Sequence, residues 1–157
     1  MSNEKQESGE LIFLRYGFPV INYCSRLIIE SEELADFVNI LKTGQGEIKK
    51  ERLEQLFPNA VNRIASWSPE HVRDYWLEQN GHNLTVGMNH ACKTYKGKVL
   101  GIYSPAEDEI CQAKIIGLEK IPLKSYIDLK QGDWISLHAF QVSEKLTPRI
   151  IAKYFEK

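Results

Sequence analysis

A chain of 157 residues is long enough for one ordinary domain or two small ones. Its hydrophobic content of 43% and charged content of 26% are those of a globular protein, and its formal net charge of -1 argues against a broad basic surface for nucleic acid. No apolar run approaches the roughly 20 residues that cross a bilayer, and the polar first residues differ from a secretory signal, so we expect a cytoplasmic protein that binds neither nucleic acid nor membranes.

The first segments of the chain have the pattern of helices. An apolar stretch over residues 11–29 predicts a helix interrupted at Pro19, because proline lacks a backbone donor and disfavours helical geometry in the residue before it. Ser31 is a candidate N-cap for a second helix, with acidic residues in the first turn, where the helix dipole favours them. Gly44 follows apolar residues at helical spacing and is expected to end this helix.

Two further helices are expected in this half of the chain. The segment 48–64 has helical spacing and is expected to be split by Pro58. Ser68 and Pro69 predict the start of the next helix, as a capping residue followed by proline at the first helical position. Together the helices predict a small bundle, and none of its residues has the spacing of a catalytic site.

From residue 90 the pattern changes to short β-rich segments separated by turn sequences. The expected strands cover residues 99–103, 111–116, 119–123 and 133–140. Thr147-Pro148 then opens a final helix, and short strands with one closing helix are typical of a small barrel of the oligonucleotide-binding (OB) type. We therefore predict an α+β protein, with an N-terminal helical domain over 1–88 and an OB-like β-barrel domain with a C-terminal helix over 89–157.

The three cysteines, Cys24, Cys92 and Cys111, are an odd and sparse set without a CxxC pair, which argues against a zinc ribbon. Cys24 falls in an apolar helix, where a free cysteine packs as a small hydrophobe. Cys92 lies two residues after His90, at the edge of what reads as the first strand of the barrel. A sulfur at such an edge is available as a soft metal ligand or for an exchange reaction, so Cys92 is the predicted chemical thiol.

His138 is the predicted neighbour of Cys92. It shares one face of a predicted strand with Trp134 and Ser136. If this strand pairs with the one that follows Cys92, the imidazole comes close to the thiol, where it can act as a second metal ligand or lower the pKa of the thiol. The alternative is a structural histidine inside the strand. His90 is either a further ligand or a linker residue.

Three segments of the second half, taken in order, resemble successive parts of the sequence of a known family. They are Cys92-Lys-Thr-Tyr-Lys-Gly-Lys-Val99, Ala113-Lys-Ile-Ile-Gly117 and Gly132-Asp-Trp-Ile-Ser-Leu-His-Ala-Phe140. In this order they resemble the hydrogenase assembly chaperone family HypC/HupF, whose members open with a cysteine before a glycine-lysine-valine segment. The same family closes with a glycine-aspartate-aromatic segment that ends in histidine and alanine. The resemblance has two motifs, the opening segment over residues 92–99 and the closing segment over residues 132–140, and the closing motif is the more specific of the two.

The resemblance implies a small barrel that carries the Fe(CN)2CO unit of nickel-iron hydrogenase during assembly and catalyses no reaction itself. Carried over by position, Cys92 would be the iron ligand and exchange thiol, and His138 would be the motif histidine near it. The expected partners are an iron-sulfur maturation scaffold protein and the hydrogenase large-subunit precursor. The residues expected to contact these partners are Lys96, Gly97, Lys98, Trp134 and Phe140.

Two other functions remain open from the residues. The chain could be a protein–protein interaction adaptor that uses the same barrel without metal, in which case Cys92 has no chemical role. It could also be a cysteine-dependent enzyme with Cys92 as nucleophile and His138 as base, although no third orienting group can be named.

Overall fold

The computed structural model describes residues 7–21, 29–79, 94–103, 109–115, 118–138 and 141–155. The chain separates into two compact units, Met1–Trp76 and Leu77–Lys157. Helices form the described part of the first unit, and strands with a closing helix form most of the second. The predicted mixed class of helix and sheet is therefore confirmed. The predicted boundary between residues 88 and 89 lies outside the described residues.

The first unit begins with helix α1 (Gly9–Gly17), which is buried on nearly all sides. Ser8 is its N-cap, because the Ser8 Oγ accepts a hydrogen bond from the Leu11 backbone N–H at 3.2 Å. A short 3-10 turn, Phe18–Val20, follows with proline in its first turn. The predicted interruption at Pro19 is confirmed, while residues 22–28 of the same predicted helix lie outside the described residues.

Helix α2 (Ser31–Thr43) begins one residue earlier than predicted. Its N-cap is Glu30, which has an extended backbone and whose backbone carbonyl accepts a hydrogen bond from the Leu34 N–H at 3.0 Å. Ser31 is therefore the first helical residue and not the predicted cap. At the other end Gly44 has φ 69°, and its N–H donates to the Ile40 carbonyl at 2.8 Å. Glycine enters this left-handed region without steric penalty, and the predicted stop is confirmed.

The next helices are α3 (Lys50–Leu56) and α4 (Pro58–Val61), separated at Pro58 as predicted. Helix α5 (Pro69–Arg73) starts after Ser68, whose Oγ accepts from the His71 N–H at 3.2 Å. This confirms the predicted capping residue and its proline. A π-helical segment, Asp74–Gln79, continues the predicted helix beyond α5, and only its π form was not expected from the sequence.

Aromatic side chains form the centre of the first unit. The Phe13 ring lies 5.5 Å from Phe57, 5.4 Å from Trp67 and 5.4 Å from Trp76, measured between centroids. Tyr75 packs edge-on against Trp76 at 5.0 Å. Edge-to-face and tilted pairs of this kind place the positive ring edge against the negative face of the neighbour. This core packs α1 against Phe57, which precedes α4, and against the segments that follow α4.

Five strands are present within the described residues of the second unit. They are β1 (Thr94–Tyr103), β2 (Glu109–Ile115), β3 (Leu118–Ser125), β4 (Trp134–His138) and β5 (Gln141–Lys145). β1 starts at Thr94, earlier than the predicted Val99. β5 was missed, because the polar residues Gln141, Ser143 and Glu144 are buried in it and no apolar alternation marks the strand.

The central strand of the sheet is β1, which pairs antiparallel with β2 on one side and β4 on the other. β3 pairs antiparallel with β2, and β5 pairs antiparallel with β4. One parallel pair of residues, Lys124 and Gln141, joins β3 to β5, so the strand order β1-β2-β3-β5-β4 leads back to β1. Because this link is a single residue pair, the predicted closed OB-like barrel stays a prediction.

Among the side chains of the second unit that the structure describes, the apolar residues Val99, Ile135, Leu137 and Val142 of β1, β4 and β5 are buried. Helix α6 (Pro148–Tyr154) closes the described chain, and the Thr147 Oγ1 caps it by accepting from the Ile150 N–H at 3.2 Å, as predicted. Among the helices within the described ranges, none is long and apolar enough to cross a membrane.

Candidate functional site

Strands β1 and β4, which contain parts of the opening and closing motifs of the resemblance, lie side by side. In the β1–β4 ladder Thr94 is opposite His138, Lys96 is opposite Ser136, and Lys98 is opposite Trp134. Opposed residues of an antiparallel pair have their side chains on the same face of the sheet. The condition for the predicted site, namely that the strand after Cys92 pairs with the strand of His138, is therefore met.

Part of the predicted site lies outside the described residues. Cys92, His90 and Phe140 belong to this part, so the structure bears on His138, Lys96, Gly97, Lys98 and Trp134. Within the described ranges, no three His, Cys, Asp or Glu side chains form a group that could hold a metal ion. Of the three predicted metal ligands, Cys92, His90 and His138, only His138 lies within the described ranges.

His138 is buried, with 1% of its surface exposed. It belongs to a row of polar residues on one face of β4 and β5, where Ser136 is opposite Glu144 and His138 is opposite Gln141. The Ser136 Oγ accepts from the Glu144 N–H at 3.2 Å and lies 3.4 Å from the Glu144 carbonyl oxygen. Burial of polar groups costs free energy unless they are hydrogen-bonded, and the bonds between Ser136 and Glu144 offset part of that cost in this row.

Trp134 lies at the opposite end of β4 and is 39% exposed. It is the one exposed large hydrophobic side chain among the residues whose side chains the structure describes, a set that leaves out those of β2 and most of β3. The Lys96 Nζ lies 5.0 Å from the centroid of its ring, and the Lys98 Nζ lies 5.7 Å from it. Both distances fall within the range of cation–π attraction. The structure thus brings together three of the residues predicted to contact partners.

The turn before β4 holds Trp134 in place. Gly132 has φ 93°, a conformation that favours glycine, and its N–H donates to the Val99 carbonyl at 2.8 Å. The Val99 N–H in turn donates to the Asp133 carbonyl at 2.9 Å. The Asp133 carboxylate accepts from the Lys130 N–H at 2.8 Å and pairs with the Lys145 Nζ at 3.6 Å. These bonds tie the start of β4 to β1.

Sequence patterns did not indicate the contact between Ser66 and His71, which lies in the first unit. The Ser66 Oγ is 2.6 Å from the His71 Nδ1 and also hydrogen-bonds to the Ser68 Oγ at 3.1 Å. All three residues surround the start of α5, where Ser68 is the cap. The contact therefore belongs to the capping of that helix, and its signal in the sequence is only the serine spacing before Pro69.

Lys96, Lys98 and Trp134 together form a solvent-facing group, whereas His138 on the same face is enclosed. This combination can bind a ligand through an aromatic surface with two positive charges close to it. No family model, no curated protein and no solved structure matches this chain.

Proposed function

We propose that this chain is a metallocentre maturation chaperone of the HypC/HupF kind. It binds an Fe(CN)2CO-type unit through Cys92 as cargo and passes it to a hydrogenase large-subunit precursor. It acts together with an iron-sulfur scaffold protein and catalyses no reaction of its own. The observation that most supports the proposal is the β1–β4 register, in which the two motifs of the resemblance lie next to each other.

The chemistry of the thiol supports a role in cargo binding. A thiolate is a soft donor suited to a low-spin iron centre, and an imidazole is a sensible second donor. Cys92 precedes Thr94 by two residues in the sequence, and Thr94 is opposite His138. We propose that Cys92 is the ligand, that His138 is the nearby imidazole, and that His90 is a further ligand.

The barrel belongs to the same proposal. A sheet that closes on itself has no free edge strand and holds a binding surface rigidly. The pair formed by Lys124 and Gln141 supports closure of the second unit into a small OB-like barrel. The partner proteins would contact this unit at Lys96, Lys98 and Trp134, with Phe140 as a further proposed contact. Gly97 was predicted to belong to the same surface, but it is buried and lies opposite the buried Ile135 of β4.

The experiment that tests the proposal is anaerobic co-purification. The full chain is produced with and without the iron-sulfur scaffold protein, and bound iron and co-purified partner are measured for the wild type, Cys92→Ala and the control Cys24→Ala. We expect iron and partner with the wild type and the control, and loss of both with Cys92→Ala. Equal iron in all three proteins would contradict the role of Cys92.

A second candidate function is an adaptor that binds a partner protein without metal. The burial of His138 favours it, because an enclosed histidine also suits a purely structural role, while Trp134 is exposed. In the same experiment an adaptor retains its partner in Cys92→Ala and holds no iron in any of the proteins. The two functions therefore differ in both measured quantities.

A further inference from the structure

We infer that the surface formed by Lys96, Trp134 and Lys98, called here the Trp–Lys face, binds an acidic segment of a partner protein. An apolar side chain of that segment rests on the indole, and its carboxylates contact the two ammonium groups. The inference rests on the proposed function, because it names the chemistry of the partner segment that such a chaperone or adaptor holds.

The first argument is the exposure of the indole. Trp134 is the first residue of β4, and the four residues after it are buried. A tryptophan that is 39% exposed keeps apolar surface in water, which costs free energy that a bound partner recovers. Tryptophan is also among the residue types that contribute most of the binding energy at protein interfaces.

The second argument is the charge around the indole. Lys98 is exposed and Lys96 is half-buried, and both lie on the face of the sheet that Trp134 occupies. Among the residues that the structure describes, no carboxylate forms an ion pair with either ammonium group. Both ammonium groups instead make cation–π contacts with Trp134. Two cations next to an aromatic surface are complementary to carboxylates that neighbour an apolar side chain.

The third argument is the rigidity of the face. Lys96 and Lys98 stand on a strand that is paired on both sides, and Trp134 is held by the turn at Gly132 and by the ladder to β1. The backbone of this side of the interface is therefore already ordered before a ligand binds, and the conformational entropy lost on binding comes mainly from the lysine side chains. The opposing Lys98 and Trp134 also stay in contact range through the strand register.

A partner protein is favoured over nucleic acid. Proteins that bind nucleic acid strongly neutralise many phosphates, about 6–10 in typical cases, whereas this face offers two lysines. The whole chain has a formal net charge of -1, so no wider positive field supports phosphate binding. An acidic peptide needs only a few matched charges together with apolar contact.

The test uses the full chain and three fluorescently labelled probes, with binding followed by anisotropy. The probes are the peptide Asp-Glu-Phe-Glu-Asp, its amide counterpart Asn-Gln-Phe-Gln-Asn, and a single-stranded oligonucleotide of thymidines. The variants are Trp134→Ala and the double change Lys96→Gln with Lys98→Gln. The matched control is Lys130→Gln, which changes an exposed lysine in the turn before β4.

We expect the acidic peptide to bind at least about fivefold more tightly than the amide peptide, because surface ion pairs contribute modestly. Trp134→Ala should weaken binding by about tenfold, and the double lysine change by about fivefold. Lys130→Gln should leave binding unchanged. Added salt should weaken binding of the acidic peptide, because dissolved ions screen the attraction between charges and the screening length falls to about 8 Å at physiological ionic strength.

Equal binding of the two peptides, or binding that neither variant reduces, would overturn the inference. Tighter binding of the oligonucleotide that depends on the same residues would overturn it in favour of nucleic acid.

Iron loading separates this inference from the proposed function. If the wild type holds no iron unit but binds the acidic peptide, the cargo function fails and the Trp–Lys face stands. If iron loading depends on Cys92 and the peptide does not bind, only the Trp–Lys face fails.

Discussion

Glu33 of α2 and Arg52 of α3 form a two-point ion pair. The Arg52 Nη2 and Nε donate to the two carboxylate oxygens of Glu33 at 2.6 and 2.8 Å. The hydrogen bonds from Arg52 lower the pKa of the Glu33 carboxyl below its ordinary 4.5, against the opposing effect of burial. The same pairing raises the pKa of the Arg52 guanidinium. Fork-like pairing of this kind is stronger than a single contact.

This pair predicts a pH-dependent contribution to stability. Because the pKa of Glu33 is lowered in the folded protein, the contribution is fully present above the ordinary value of 4.5 and is lost as the pH falls through the folded value. Glu33→Gln should lower the free energy of unfolding by about 1 kcal/mol at neutral pH, since water still reaches the pair. Urea denaturation followed by circular dichroism at neutral and acid pH measures this difference.

The neighbouring Glu32 offers a matched control for this prediction, because it is exposed in the same helical turn. Glu32→Gln should change the free energy of unfolding by less than the Glu33 change at neutral pH. The two variants should converge towards the wild type in acid. A Glu33→Gln effect that stays the same across this pH range would contradict the role of the charged pair.

The burial of single residues in β4 could not be predicted from the sequence. The alternation along β4 correctly placed Trp134, Ser136 and His138 on one face. It did not indicate that Trp134 is exposed while Ser136 and His138 are buried at 0% and 1%. Alternation reports which face a side chain is on, but coverage of that face depends on distant parts of the chain. Burial of a polar residue was therefore not predictable from the strand alone.

At the scale of single elements, Gly44 provides a direct test of the helix ends. It ends α2 with φ 69°, and a Cβ added there would meet no atom within 4 Å. Any cost of Gly44→Ala must therefore come from the backbone conformation, and we expect a loss of about 1 kcal/mol in the free energy of unfolding. Gly44→Asn should cost less, because asparagine tolerates the left-handed region. Urea midpoints of both variants test this.

A wild-type midpoint for Gly44→Ala would contradict that account, and so would a larger loss for Gly44→Asn than for Gly44→Ala.

Helix starts and ends were the most predictable elements of this chain. Pro19, Gly44, Pro58 and Ser68 each act through local geometry, which the sequence encodes within a few residues. Strand β5 was not predictable, because it depends on pairing with β4 and not on its own pattern.

At the scale of the whole molecule, each of the two units has its own buried residues. The aromatic group around Phe13 belongs to Met1–Trp76, and the group around Ile135 and Leu137 belongs to Leu77–Lys157. A core of its own is what a segment needs to fold independently. We therefore predict that a fragment of residues 77–157 unfolds cooperatively when it is produced alone.

Thermal unfolding of this fragment, followed by circular dichroism, measures that property. Binding of the acidic peptide to the same fragment provides a second readout, because the Trp–Lys face lies entirely within it. A gradual change of signal with temperature, without a transition, would show that residues 77–157 do not fold alone. The division into two units would then not describe independent folding.

The division into a helical part and a sheet part could be predicted, since the two parts differ in hydrophobic period from about residue 90 onward. The neighbouring positions of the two motif strands could be expected only through the family resemblance, because strand order is a non-local property. Cys92 is the residue on which the proposed cargo function depends. The spectroscopic signature of a Cys92 variant therefore tests that function.

Infrared spectroscopy tests the central proposal most directly, because bound cyanide and carbon monoxide have stretching bands in a region free of protein absorption. The full chain is purified anaerobically after production with the iron-sulfur scaffold protein, and spectra are recorded for the wild type, Cys92→Ala and Cys111→Ala. We predict cyanide and carbon monoxide bands in the wild type and Cys111→Ala, and their loss in Cys92→Ala. Absence of the bands from the wild type, or bands that persist in Cys92→Ala, would contradict the proposal.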